Sequence, residues 1–103
     1  MIPTEKVDIF IRNTLNQIHA LDDITSINYW SDGTDAGQEG QWKWASSGTP
    51  IGYTNWAPLE PSHAPEDCLA ICGVKGFKWN DDICVRTHPF ICERNRKLPV
   101  PDL

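Results

Sequence analysis

Three short clusters of hard oxygen donors stand between Glu60 and Asp81: Glu60-Pro61-Ser62, Glu66-Asp67-Cys68 and Trp79-Asn80-Asp81. A hard divalent cation such as calcium takes about six to eight oxygens from carboxylates, amide carbonyls and hydroxyls. Glu60, Ser62, Glu66, Asn80 and Asp81 could supply most of such a shell once the chain folds back between the clusters. Any one of these acids alone would read as a solvated loop residue. Three clusters in succession point instead to a cation site.

The rest of the composition bounds what such a site could serve. A chain of 103 residues is one domain, long enough to bury roughly two-thirds of the surface it exposes when unfolded. All five tryptophans (Trp30, Trp42, Trp44, Trp56 and Trp79) lie in the central half, which puts the core there. The net charge of -5 argues against nucleic acid as the main partner, because phosphate contacts need a basic face, and it suits a cation binder. No apolar run is long enough to span a bilayer. Met1 to Lys6 lacks the basic start and apolar core of a signal peptide, yet four cysteines in so short a chain suggest an oxidising compartment. A chain missing its natural N-terminus would reconcile the two. Cys68, Cys72, Cys84 and Cys92 form no paired C-x-x-C knuckles, which argues against zinc.

Around the clusters the pattern is one helix followed by short strands. Val7, Phe10, Ile11, Leu15 and Ile18 repeat at helical spacing and predict an apolar face, with Thr4 as N-cap and Asp8, Arg12, Asn13 and Asn16 on the solvent side. His19, near the helix end, is expected at the surface without a function. Strands are expected over Ile24 to Trp30, at the alternating Trp42-Lys43-Trp44, over Cys68 to Cys72 and over His88 to Glu93; Ile51 to Trp56 reads as a short aromatic segment, and Phe77 to Trp79 leads into the Asn80-Asp81 pair. Glycine-rich and proline-rich loops separate them. The fold class is α+β. Residues 95–103 read as a flexible tail.

Tyr29-Trp30, Gly40-Gln41-Trp42-Lys43-Trp44, Asn55-Trp56, Glu60-Pro61-Ser62, Glu66-Asp67-Cys68, Trp79-Asn80-Asp81 and Pro89-Phe90-Ile91-Cys92-Glu93 stand in the order and spacing of one family. Through them the chain resembles a C-type lectin-like domain, most closely the secreted invertebrate, perlucin-like members. The resemblance runs from Val7 to about Arg94, so the domain is expected over residues 1–94. It implies the family's helix, short antiparallel strands and long calcium-binding loop, without the usual first strand and first helix. It also implies a Cys68–Cys84 disulfide clamping that loop. Cys92 would lack its usual partner and Cys72 would be extra, leaving open a Cys72–Cys92 bridge or a link to another chain.

The resemblance further implies that Glu60, Ser62, Glu66, Asn80 and Asp81 hold calcium and, with it, two neighbouring sugar hydroxyls, with Pro61 in cis. Family members with asparagine after Glu-Pro take mannose-type sugars. Ser62 replaces that asparagine, and the loop to Glu66 is a little shorter, so the expectation is a weak or altered mannose/glucose-type specificity. A second, structural calcium site would use Asp35, Glu39, Glu66 and Asp67, with His63 falling at a fifth position where a carboxylate is usual. No nucleophile has a recognisable histidine and acid arrangement, so no catalysis is expected. The leading reading is a secreted, extracellular, calcium-dependent glycan binder in innate recognition, with oligomerisation open. The alternative is a protein-binding or mineral-associated domain of the same fold that has lost sugar binding.

Overall fold

A computed structural model describes residues 1–62 and 66–92. The helix α1 spans Glu5–Ile18, and the Thr4 hydroxyl caps it by accepting from the Val7 amide at 3.3 Å. The hydroxyl satisfies one of the donors that the first helical turn leaves without an internal partner. Four strands follow: β1 (Asn28–Thr34), β2 (Lys43–Trp44), β3 (Cys68–Cys72) and β4 (Lys78–Asp82). They form one sheet in the order β2-β1-β3-β4, every pair antiparallel. One helix against a small antiparallel sheet is the α+β class expected.

The β3–β4 hairpin is the centre of the molecule. Its register runs without a break from Cys68 opposite Asp82 to Cys72 opposite Lys78. From Leu69 to Cys72 every residue of β3 is buried, so both faces of this strand are covered and the apolar run needs no alternation. Leu69, Ile71, Phe77 and Trp79 are all 0% exposed, and Ile2, Leu15 and Trp44 close the core around them. Trp44, Tyr53 and Trp56 meet Trp79 edge-on at 6.1, 5.7 and 5.8 Å between ring centres, the geometry aromatic quadrupoles favour. The hairpin turn is a short 3-10 segment, Gly73–Lys75, ended by Gly76 in the left-handed region. Gly73 is required by close approach: a Cβ there would lie 2.2 Å from the Ile24 carbonyl oxygen and 2.8 Å from that of Ile27.

Three sequence expectations need correction. First, Asp8 is not on the solvent face of α1; it is 0% exposed, and the helix turns Asp8, Ile11 and Leu15 inward while Phe10 and Ile18 are 69% and 63% exposed. The cause is a set of core hydrogen-bond donors that draws the Asp8 carboxylate in. Second, Ile24–Ser26 is a 3-10 turn rather than the start of a strand. The Asp23 carboxylate accepts from the Thr25 amide and hydroxyl, which outweighs the β-branched propensity of Ile24 and Thr25. Third, among the described residues the last segment makes only a parallel bridge with β1, Trp30 donating to the Pro89 oxygen and Ile91 donating to the Trp30 oxygen. The expected tail, 95–103, and His63 lie outside the described residues.

Candidate functional site

Two limbs of chain carry the Glu60–Asp81 cluster. One is β4, where Asn80 and Asp81 follow the buried Trp79. The other is the irregular segment from Asn55 to Ser62, which runs beside Trp79 without entering the sheet. The Trp79 amide donates to the Asn55 oxygen at 2.8 Å, and the Ala57 amide donates to the Trp79 oxygen at 2.7 Å. Glu60 in turn donates its amide to the Ala57 oxygen at 3.0 Å, and the Glu60-Pro61 peptide is cis. Prolines at 58 and 61 supply no amide hydrogen, so this segment can accept and donate only at chosen points.

The limbs meet at Ser62 and Asp81. Asp81 Oδ1 accepts from the Ser62 amide at 2.8 Å and from its hydroxyl at 2.9 Å, and the same hydroxyl makes a short contact with Glu66 Oε1. Glu60 lies against Asp81, and its Oε1 is buried with no hydrogen-bond partner. Burial first, then the contact and charge of Asp81 and the charge of Glu66, push the Glu60 carboxyl up to about 7. Glu60, Ser62, Glu66 and Asp81 are thus gathered together. Asn80 directly precedes Asp81 in β4, is half-buried, and its side chain joins none of the hydrogen bonds among the described residues.

A second acidic group lies near the same open end of the hairpin, close enough for the charge of Asp81 to reach Asp67. Carboxylate oxygens of Asp35, Glu39 and Asp67 all fall within 4.8 Å of one another, and Glu66 is not part of that group. Asp35 is 2% exposed; its Oδ2 accepts from the Gly40 amide at 2.8 Å, while its Oδ1 is buried without a partner. The Asp67 carboxyl is held above the usual range by hydrogen bonding with Asp35 first and by burial next. Buried acceptors left unpaired are costly, and both clusters contain one. A hard cation with oxygen ligands is the partner such donor sets fit. Acceptors crowded together repel, and only a shared proton or a cation relieves them.

The Cys68–Cys84 disulfide is formed and joins the start of β3 to the residue two past the end of β4. Cys72 and Cys92 are unbridged; Cys72 is buried, which pushes its thiol up. His88 packs 4.7 Å from the Trp30 ring and lies 3.0 Å from Asp82, which also pairs with Arg86 at 2.9 Å. His19 bridges Asp22 and the Tyr29 hydroxyl, both at 2.8 Å, and so ties the end of α1 to β1. Sequence reasoning missed Asp8. The signal was present in its i, i+3, i+7 spacing with Ile11 and Leu15, a polar residue set in an apolar stripe.

Comparison with known proteins bears on the family and the fold. A family model described as Lectin C-type domain matches residues 4–94. The chain is 33% identical over 99 residues to perlucin of Haliotis laevigata, covering 93% of this chain and 60% of perlucin. It is 34% identical over 77 residues to salivary C-type lectin 2 of Aedes albopictus, covering 69% of this chain and 51% of that protein. The chain therefore spans only about half to three-fifths of these relatives. Among solved structures, the mouse scavenger receptor C-type lectin carbohydrate-recognition domain superposes with a TM-score of 0.76 at 30% identity, over 94% of this chain and 68% of that one.

Proposed function

Because the chain belongs to the C-type lectin domain family, a non-enzymatic one, we propose that it binds carbohydrate through a calcium ion held by Glu60, Ser62, Glu66, Asn80 and Asp81. The observation that carries this reading is Glu60 Oε1, buried without a partner beside a second carboxylate. When bound, calcium would neutralise these acids and polarise two adjacent sugar hydroxyls. The chain's own groups do the rest. Carboxylates of Glu60 and Asp81 accept hydroxyl protons, and the Asn80 amide can donate to a hydroxyl lone pair. Asp35, Glu39 and Asp67 would hold a second ion that orders the loop, as the unpaired Asp35 Oδ1 supports.

Ser62 shapes the expected specificity. Its hydroxyl already faces Glu66 and Asp81, and unlike an amide it has no NH₂ to offer a sugar. Weak mannose/glucose-type binding follows. The Cys68–Cys84 disulfide favours an extracellular setting, and clustering of several copies would raise avidity on a glycan surface. The same engagement of Ser62 also favours a second reading, in which calcium orders the loop for a protein or mineral partner and no sugar binds.

The deciding experiment is retention on mannose and galactose resins with calcium, followed by EDTA and by free sugar. Retention on mannose, lost in EDTA and competed by free mannose, is expected. Binding that survives EDTA would overturn the proposal. Calcium-dependent melting with no retention on any glycan would move the second reading to the front.

A further inference from the structure

We propose that Asp8 is a positioning residue for the Glu60–Asp81 site: from the first turns of α1 it pins together the roots of the two limbs that carry the ligands. The inference rests on the calcium reading of that site. Asp8 touches none of the five candidate ligands. Its Oδ1 accepts from the Trp79 indole Nε1 at 2.9 Å, and its Oδ2 accepts from Asn55 Nδ2 at 2.8 Å and from the Tyr53 hydroxyl at 3.0 Å. Trp79 directly precedes Asn80 and Asp81. Asn55 begins the limb that ends in Glu60, Pro61 and Ser62.

From those two anchors a closed circuit of hydrogen bonds reaches the site. Trp79 donates to Asn55 and accepts from Ala57, Ala57 accepts from Glu60, and Ser62 donates to Asp81. Among the described residues, Asp8 is the one group that grips both limbs by their side chains at once. Only an acceptor can serve three converging donors, and a carboxylate is acceptor-only. The Arg12 guanidinium, 3.3 Å from Oδ2, supplies countercharge without completing a hydrogen bond. Removing Asp8 would leave one buried and two half-buried donors unpaired and let the limbs separate, and a cation site tolerates little of that. The Asp35, Glu39 and Asp67 group lies outside this circuit and serves as an internal control.

The test is calorimetric titration of calcium into the disulfide-bonded chain, comparing wild type with Asp8→Ala, and with the exchange pair Asp8→Asn plus Asn55→Asp, which restores a donor to an acceptor. Titrations run well below each variant's melting temperature. Asp8→Ala is expected to weaken the Glu60–Asp81 site by about tenfold or more and to leave the Asp35 site unchanged. The exchange pair should recover most of the loss. Should Asp8→Ala fail to fold, Asp8→Asn keeps the side-chain shape, loses the charge and one acceptor, and should show the same selective weakening. Equal weakening of both sites would mark Asp8 as merely structural, and unchanged affinity at both would sink the idea outright. A wild-type chain that binds no calcium would overturn the calcium reading together with this one. Calcium binding indifferent to Asp8 overturns this one alone.

Discussion

Replacing Glu60 by glutamine tests the electrostatics of the site without any ligand. The Glu60 carboxyl rises from 4.5 to about 7, through burial first and then through Asp81 and Glu66. A raised carboxyl binds its proton more tightly in the folded chain than in the unfolded one. Its contribution to stability is therefore full below about pH 4.5, falls as pH climbs, and is gone above about pH 7. A rise of that size corresponds to at most about 3 kcal/mol, and solvent reaching this half-buried group reduces the expectation to about 1–2 kcal/mol. Glutamine is neutral throughout, so Glu60→Gln should match wild type near pH 4.5 and exceed it near pH 8. For a domain of this size the gain amounts to roughly 5–10 °C in Tm. The assay is thermal melting in EDTA across that range, followed by circular dichroism. In excess calcium the order should reverse, because only wild type keeps the full ligand set and gains from binding to the native state. A difference between variant and wild type that stays flat with pH in EDTA would refute the reasoning.

Two further outcomes can be checked on the same preparation. Asp35→Asn removes the partner that raises Asp67, so the Asp67 carboxyl should titrate nearer its ordinary range by NMR, and calcium binding at the Asp35 group should be lost; an unchanged Asp67 titration would contradict the contact. Gly73→Ala places a methyl against the carbonyls of Ile24 and Ile27 and should cost about 3 kcal/mol in urea unfolding; a loss well under about 1 kcal/mol would mean this turn gives way more easily than the structure indicates.

Much of the framework was readable from residue types, and the exceptions share a cause. β3 was legible with correct ends because Cys68 to Cys72 is an unbroken apolar run between acids and a glycine. The Thr4 cap was legible because a hydroxyl before a helical pattern has one obvious use. The ligand clusters were visible as oxygen-rich words, and family likeness supplied the idea that they converge. Asp8 was misplaced because a hydropathy pattern counts a carboxylate as outward-facing, whatever donors await it. Its donors, Tyr53, Asn55 and Trp79, lie at least 45 residues away along the chain. No local window could bring them together. The Ile51 to Trp56 segment was ambiguous for a related reason: its aromatics pack like a strand's, while its backbone bonds go to Trp42 at one end and Trp79 at the other rather than to a continuous ladder.

The wide spread of sequence separations at the site also orders its assembly in time. Cys68 to Asp82 is a local hairpin, closed covalently by a disulfide spanning 16 residues, and hairpins of this kind form in roughly 1–10 μs. Asp67 and Asp81 therefore come close early, on a nearly self-sufficient unit. The Asp8–Trp79 hydrogen bond spans 71 residues and must meet the loop-closure entropy of about two-thirds of the chain. We infer that docking of α1 comes late. Conservative truncations in β3 should slow folding, whereas Asp8→Asn should chiefly speed unfolding; a folding rate that drops in full proportion to the stability lost in Asp8→Asn would reverse that order. On this account the proposed cation site exists as a half-built hairpin before the helix arrives, and docking of the helix fixes the relative positions of its acids.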